Sequence, residues 1–433
     1  MHSTDELYGK RLAKRQGGCY IVLAETSMSK PRLPEELLDH IVDFLHDEEY
    51  ALKNCSLVSK PWISRARKHL FASIKFRPEK NLGLWKETFP DPSTSPACYA
   101  RTLIIGCSHL ITAADVEAGG WIRGFSQVVH LEVGGERLDT RESTVPLLAL
   151  RGLSPFVKSL RVDFVVLPYP PALDLILSFP LLEDLAIEAY GKSIDDADYP
   201  YGFPTVVHPS TPPPFTGYLD LFLRGGMEYI VYRLLSFPGA VRFRKLTLKW
   251  CHGEDISLTV RMVEECSLTL ESLDITCDVT GTPGRYIRVC ADSLLQFPGG
   301  PEWPWVDLSK ATRLREVVFR PRSRTVKWIT TALQSAVSNP HLRETEIHVP
   351  YFLTFLDVGV DVRLAIGEGL FRQWLDLDRF LVQSWGSRSI PPKVIHTTRR
   401  GVSDVRDYIG CLLPEVTRRG IVDSVELREA GAM

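Results

Sequence analysis

A short apolar pattern recurs through most of this 433-residue chain, at intervals that stay close to one length. Each copy reads apolar-x-x-apolar-x-apolar, and the first four central residues are separated by 28, 29 and 25 positions. The nine copies are centred on Leu103, Leu131, Leu160, Leu185, Leu246, Leu273, Val317, Thr345 and Val425. Alternating apolar positions are typical of strands, and recurrence at such an interval is typical of a repeat architecture.

Helical periodicity fills several of the intervals between these copies. Apolar residues recur at helical spacing in segments 172–179, 258–268 and 325–337, which end near Ser, Asn or Pro. A strand, a helix and another strand in succession favour right-handed crossovers and a parallel sheet. Stacked in one dimension, such units predict an α/β solenoid with a curved parallel sheet over residues 100–433.

Two long interruptions of the period are rich in Pro, Gly and aromatic residues. The first covers about residues 191–217, and the second, about 280–307, contains Trp303 and Trp305. Inserted loops of this length are usually functional or mobile, and aromatic residues often dominate binding surfaces. An alternative is that both loops fold back and cover the solenoid. Residues 351–420 break the pattern and predict a divergent repeat with a terminal cap.

Residues 33–71 differ from the repeats, because they predict three short helices with large apolar faces. Pro34 suits the first position of the first helix, where its missing N–H costs nothing. The apolar stripe of that helix comprises Leu37, Leu38, Ile41, Phe44 and Leu45. The other two helices carry Leu52, Cys55 and Val58, and then Trp62, Ala66 and Leu70. A segment of about forty residues cannot bury all this apolar surface by itself. Part of the surface should therefore face another protein or the rest of the chain.

Residues along the whole of this segment form a recognisable signature. They are Leu33-Pro34-x-Glu36-Leu37-Leu38-x-x-Ile41, then Leu45, then Leu57-Val58-Ser59-Lys60-x-Trp62. On these residues the segment resembles the F-box, the module that docks substrate receptors onto the Skp adaptor of cullin–RING ubiquitin ligases. One departure is the loop at 47–50, where many F-boxes carry a proline. The alternative is a small helical bundle packed wholly against the rest of the chain.

The resemblance implies both domain boundaries and partner contacts. It implies a disordered tail at 1–29, an F-box at 30–76 and a linker at 77–99, before the solenoid. The adaptor would be contacted by Leu33, Pro34, Leu37, Leu38, Ile41, Leu45, Leu57, Val58 and Trp62. Through the adaptor the chain would join a cullin.

The repeat region resembles the leucine-rich repeats that often follow an F-box in fungal proteins. It departs from them at the ladder position after each strand, where an Asn or Cys is usual and only Cys251 is retained. Without a buried ladder to satisfy the backbone of the loops, the turns must differ from unit to unit. We therefore expect irregular curvature in this leucine-rich-repeat-like solenoid.

Catalytic and metal-binding patterns are missing from the sequence. It has no Gly-rich phosphate loop, no GxSxG and no HExxH, and its nine cysteines form no CxxC pair. The net charge of −2 favours neither nucleic acid nor membrane, and the apolar run at 19–24 is too short for a signal peptide. We therefore expect a cytoplasmic or nuclear protein that is not an enzyme and holds no cofactor or metal.

Together these features predict a substrate receptor, with the F-box on the adaptor and the solenoid on an unidentified target protein. The predicted target contacts are Trp303, Trp305, Arg313, Arg315 and Arg320, where the arginines could meet an acidic or phosphorylated segment. One alternative keeps the adaptor contact but makes the protein a scaffold or assembly factor without ligase function. Another is an enzyme with its active site at the strand ends.

Overall fold

A computed structural model divides the chain into two compact units, Met1–Ala66 and Arg67–Met433. The predicted tail at 1–29 and most of the predicted loops at 191–217 and 280–307 lie outside the described residues. The structure describes residues 34–58, 60–77, 81–106, 111–112, 115, 120–135, 147, 149–153, 155–164, 169–189, 212–223, 227–237, 239, 241–251, 256–277, 306–321, 326–348, 363, 367–385, 392–398, 409–420 and 425–429.

Three helices form the first unit, as the sequence predicts, and the third continues into the second unit. They are α1 (Glu35–Phe44), α2 (Glu49–Val58) and α3 (Lys60–Leu70). Pro34 lies immediately before α1, and its carbonyl oxygen accepts the first two helical N–H bonds, from Leu37 and Leu38, both at 3.1 Å. Among the described residues of this unit the buried apolar side chains are few and mostly small: Val42, Leu52, Cys55 and Ala66.

A single all-parallel sheet organises the second unit, and it is curved. Its twelve described strands pair in the order in which they occur along the chain, so each strand contacts only its sequence neighbours. This connectivity is that of an α/β solenoid, and the predicted fold class is confirmed. The strands are β1 (Ser73–Phe76), β2 (Thr102–Ile105), β3 (His130–Gly135), β4 (Ser159–Phe164), β5 (Asp184–Ala189), β6 (Tyr218–Leu223), β7 (Lys245–Cys251), β8 (Ser272–Cys277), β9 (Glu316–Pro321), β10 (Glu344–His348), β11 (Lys393–Thr398) and β12 (Val425–Glu429).

Helices occupy most of the connections between strands. Those described are α4 (Asn81–Thr88), α5 (Gly120–Arg123), α6 (Tyr169–Leu177), α7 (Met227–Leu235), α8 (Ile256–Cys266), α9 (Lys327–Ala336), α10 (Glu368–Phe380) and α11 (Pro414–Arg418). The helices predicted at 172–179, 258–268 and 325–337 correspond to α6, α8 and α9. Within the described part of the chain, no helix has both the length and the apolar character needed to cross a bilayer.

The repeat pattern becomes two columns of side chains on the helix-covered face of the sheet. One column runs through the central residues, and its pairs Leu103–Leu131 and Leu131–Leu160 are in register and buried. The second column is continuous in register from Phe76 on β1 through to β12, where Val425 is the register partner of Val394. Val425 was predicted as a central residue, so the last strand is shifted by two positions from the predicted alignment. The intermediate members of the second column are Ile105, Val133, Val162, Ile187, Leu221, Leu248, Ile275, Phe319, Ile347 and Val394, all buried. These columns are the solenoid core, and their burial is its main stabilising contribution.

Every predicted strand is present, and the structure adds β1, β6 and β11. Strand β1 lies inside the segment assigned to the F-box, at 30–76. The predicted linker at 77–99 contains α4 and two short 3₁₀ helices, Pro92–Thr94 and Pro96–Tyr99. The sheet therefore begins before residue 100, where the sequence placed its start.

A buried carboxylate joins two of the described helices near the C-terminal end of the second unit. Asp378 on α10 is 1% exposed, and its two oxygens accept the backbone N–H groups of Glu415 at 3.0 Å and Val416 at 2.8 Å. These N–H groups belong to the first turn of α11, whose own N-cap residue, Leu413, has no side-chain oxygen to offer them. Asp378 therefore caps α11 from a neighbouring helix, within the region that the sequence predicts to end the solenoid.

A second carboxylate organises the connection between β2 and β3. Asp115 accepts hydrogen bonds from Lys86 Nζ at 2.7 Å, from the N–H and hydroxyl of Thr112 at 2.7 and 2.9 Å, and from Trp121 Nε1 at 2.8 Å. Burial by itself would raise the pKa of Asp115, but these donors outweigh it and the pKa is lowered from its usual 3.8. The ionised carboxylate is thus the form that the fold prefers.

Replacing Asp115 with Asn is expected to lower the free energy of unfolding by about 1–2 kcal/mol at neutral pH, because charge-assisted bonds are lost. Since the folded pKa lies below the unfolded value, this stabilisation is present above pH 3.8 and is lost as the pH falls through the folded pKa. Urea unfolding of both proteins over a pH series measures it. Asp174→Asn, which removes a partly exposed ion pair with Arg151, is the control and should change little. Equal effects of the two substitutions on the free energy of unfolding would contradict the stabilising role of the Asp115 carboxylate.

Candidate functional site

Large apolar side chains are exposed on the helices of the first unit. Six of the eleven that are exposed in the described part of the chain lie between residues 37 and 58. The most exposed are Phe44 at 86%, Leu57 at 84%, Tyr50 at 83% and Val58 at 73%. Such a concentration in so short a segment indicates a protein-binding surface rather than scattered surface residues.

Helix α1 divides its apolar residues between two faces. Val42 is fully buried, whereas Leu37 and Ile41 are 49% and 43% exposed. An open apolar groove of about 350 Å³ runs along the outer face, lined by Leu37, His40, Ile41, Phe44 and Leu45. The outer face of α1 is therefore apolar and accessible to another protein.

A charged pair fixes α3 against α1. Arg65 Nε donates to Asp43 Oδ1 at 2.6 Å, its Nη2 donates to Oδ2 of the same carboxylate, and Asp39 lies 3.9 Å from Nη1. The hydrogen bond to Asp43 raises the pKa of Arg65, so the guanidinium stays charged. Because the pair is bidentate, it also sets the relative orientation of the two helices and keeps the apolar face in place.

The predicted adaptor contacts fall into three groups. Pro34, Leu37, Ile41, Leu57 and Val58 are exposed. Leu38, Leu45 and Trp62 are half-buried, and Leu33 lies outside the described residues. Two exposed aromatic residues, Phe44 and Tyr50, were not among the predicted contacts. Phe44 lies three residues after Ile41, so helical spacing could have identified it, whereas Tyr50 follows no pattern in the sequence.

Among the predicted target contacts that the structure describes, Arg320 lies apart from Arg313 and Arg315. Arg313 and Arg315 are exposed just before β9, whereas Trp303 and Trp305 lie outside the described residues. Arg320 lies at the other end of β9, about 16 Å along the strand from Arg315. Its guanidinium donates to both oxygens of Asp274 at 3.0 and 3.1 Å and lies 3.3 Å from His348 Nδ1. Arg320 is therefore bound within the sheet.

Residue types that could support other chemistry are dispersed in the described part of the chain. No three His, Cys, Asp or Glu side chains there are grouped as a metal site would require. Cysteines 55, 98, 266 and 411 are free thiols, and burial raises the pKa of Cys266 to about 12. That thiol stays protonated and unreactive at neutral pH.

Residues 31–73 match the F-box domain family, and this range covers the three helices and their exposed apolar face. The chain therefore contains an F-box domain, which its sequence predicted. F-box domains typically bind Skp-type adaptors, so the exposed face has a partner class in general terms. None of the curated proteins compared with the chain matches it. The family match does not extend into the solenoid, whose likeness to leucine-rich repeats stays a prediction.

Proposed function

We propose that this protein is the substrate-recognition subunit of an SCF-type cullin–RING ubiquitin ligase. The observation that carries the proposal is the set of exposed apolar side chains on the F-box helices, among them Phe44, Leu57 and Val58. This face would dock on the Skp adaptor, and the adaptor would connect the chain to a cullin. The solenoid would hold the target.

The free energy available from burying the exposed apolar side chains supports docking of the adaptor only if most of them are covered. Burying one exposed Leu, Ile or Phe side chain contributes about 1.5–3 kcal/mol. Association itself costs roughly 4–15 kcal/mol in lost translational and rotational freedom. The adaptor must therefore cover most of the exposed side chains of α1 and α2 at once. The buried core of Val42, Leu52, Cys55 and Ala66 does not need these side chains, so they are available to a partner.

The solenoid suits the target-holding role because its repeats present a long row of similar edges. An extended partner can follow such a row from one unit to the next. In this role the protein makes and breaks no bonds itself. It would raise the rate of ubiquitin transfer by holding the target near the ubiquitin-charged partner.

Affinity purification of the tagged full chain tests the proposal. Both a Skp-type adaptor and a cullin should be recovered with the chain. Recovery of the adaptor without any cullin would instead support the scaffold or assembly role. Absence of the adaptor from the purified material would overturn both functions, because each depends on the F-box contact.

A further inference from the structure

Five exposed arginines lie at one edge of the sheet, where the chain enters strands β7, β9 and β10. They are Arg242, Arg244, Arg313, Arg315 and Arg343, here called the basic edge. Arg313 and Arg315 belong to the arginine cluster that the sequence predicted, together with Arg320. Arg242, Arg244 and Arg343 were not part of that prediction. The fold thus assembles a cationic surface that no continuous stretch of sequence contains.

Backbone hydrogen bonds establish that these residues are neighbours. Arg343 N–H donates to Arg315 O at 2.8 Å, Arg315 N–H donates to Glu271 O at 2.8 Å, and Glu271 N–H donates to Arg244 O at 2.7 Å. The four residues therefore occupy one level on adjacent strands, in a row about 14 Å long at the usual strand spacing. Arg242 and Arg313 precede this row by two residues in their turns.

The arginines of the basic edge have no ion-pair partner among the described residues, although acids lie close by. Glu344 pairs with Lys393, and Glu316 accepts the hydroxyl of Ser272 at 2.8 Å. Glu271 lies in the row itself, between Arg244 and Arg315, and forms no described ion pair with either arginine. Only Arg244 has a described polar contact from its side chain, through Nε to Thr216 O at 3.1 Å.

At the equivalent position before two other strands, a positive side chain is paired with an acid, which makes the basic edge distinctive. Between β4 and β5, Lys158 Nζ lies 2.8 Å from Glu183 Oε1. At the basic edge the neighbouring Arg315 and Arg343 carry like charges, and adjacent like charges destabilise a sheet. Glu271 separates Arg244 from Arg315, but no acid separates Arg315 from Arg343, and an anionic partner would relieve the repulsion between these two.

We propose that the basic edge binds an extended, carboxylate-rich segment of a partner protein. Identifying that partner as the ubiquitylation target rests on the proposed function. Arg315 and Arg343 lie at strand spacing, Arg244 lies two strands from Arg315, and Arg242 and Arg313 lie in the adjoining turns. Each of these guanidinium groups can hold one carboxylate of an extended peptide in a bidentate manner. A single phosphate would instead need donors that converge on one point.

Nucleic acid fits the basic edge less well. Single-stranded nucleic acid is usually held by aromatic stacking as well as by positive charge. Of the described residues in the turns that lead into β7–β10, none is an exposed Phe, Tyr or Trp. The net charge of −2 also provides no general attraction for a polyanion.

Fluorescence anisotropy with the purified full chain tests the proposal. The probe is a fluorescein-labelled peptide of alternating Glu and Ser, compared with the same peptide carrying Gln in place of Glu. The Glu peptide should bind, with an affinity that falls as salt is added. Arg315→Glu combined with Arg343→Glu should weaken it by about tenfold or more, because charge pairs across the interface become repulsive.

Arg101→Glu is the matched control, because Arg101 is also exposed and occupies the same level before β2. It should leave peptide affinity unchanged. Equal binding of the Glu and Gln peptides, or an unaffected double variant, would overturn the proposal. Tighter binding of a phosphoserine peptide, or of single-stranded RNA of equal charge, would overturn the choice of carboxylates.

The proposal and the F-box function fail separately. Charge reversal at the basic edge should leave adaptor capture intact, and circular dichroism should show that the double variant is folded. A chain that captures no adaptor but binds the Glu peptide would leave the basic edge standing. In that case the partner would be something other than a ubiquitylation target.

Discussion

Replacing Leu57 and Val58 together with lysine is expected to weaken adaptor binding by about a hundredfold or more, equivalent to about 2.7 kcal/mol. Both side chains lie at the end of α2 and are almost fully exposed, so the fold does not depend on their burial. In a complex they would be desolvated, and two lysine ammonium groups would then be buried without partners. Isothermal titration calorimetry with the purified adaptor measures the loss.

A matched control separates this effect from a general change in surface character. Leu268 follows α8 in the solenoid and is 72% exposed, close to the value for Val58. Leu268→Lys should leave adaptor affinity unchanged. If the paired F-box substitution binds the adaptor as the wild type does while remaining folded, the exposed apolar face is not the docking surface.

Replacing Asp378 with Ala is expected to destabilise the C-terminal end of the solenoid by about 3 kcal/mol. The substitution leaves the N–H groups of Glu415 and Val416 without an acceptor, and each buried unsatisfied group costs about 1–3 kcal/mol. It also removes the negative charge at the N-terminal end of α11, which favours that helix. Hydrogen exchange is the suitable measurement, because it reports local opening in a protein that need not unfold in one step.

Protection of the Val416 amide should fall by about a hundredfold in Asp378→Ala. Asp378→Asn keeps the shape and one oxygen acceptor, so its effect should be roughly a third as large in free energy. Amides in β2 and β3 are far along the array and should keep their protection, since repeats contact only their neighbours. Uniform loss of protection along the whole chain would contradict the capping role.

The repeat pattern predicts most of the sheet, and the strands it misses have identifiable causes. The pattern is satisfied before β1 by Phe71-x-x-Ile74-x-Phe76, whose central Ile74 lies 29 residues before Leu103. It is hard to recognise because it begins directly after the last residue of α3. Strand β6 alternates Leu219 and Leu221 but has Thr216 at the first apolar position, directly after a Pro-rich run. Strand β11 places Val394 in the core column, but its sequence does not satisfy the pattern, because a copy centred on Val394 would have His396 at the last apolar position. Such strands are fixed by their neighbours in the sheet.

The faces of the F-box helices could not be assigned from periodicity. The apolar stripe of α1 is broad enough to include both Leu37 and Leu38, yet the residue that is fully buried is Val42. The other enclosed side chains among the described residues of this unit, Leu52, Cys55 and Ala66, lie on α2 and α3. Which side of α1 faces inward is a property of three helices together, which no single helical pattern records.

The outcome for Arg320 has a similar cause. In the sequence it belongs to a cluster with Arg313 and Arg315, which suggested a common role. Its partner Asp274 is 46 residues away in the sequence, on the neighbouring strand. Only the strand pairing reveals that one arginine is neutralised and the others are not. Arg343, which the sequence left unremarked, takes its place beside Arg315.

The strands lie in the sheet in the same order as in the chain, and this affects how the solenoid would respond to force. A pull applied at the end of β12 would load this strand first, because β11 is its one partner among the described strands. Once β12 is released, the force passes to β11 and then to β10, so the array would come apart by sequential unzipping. A molecular motor drawing on that end would therefore meet a series of small barriers instead of one large one, and could stop at any repeat.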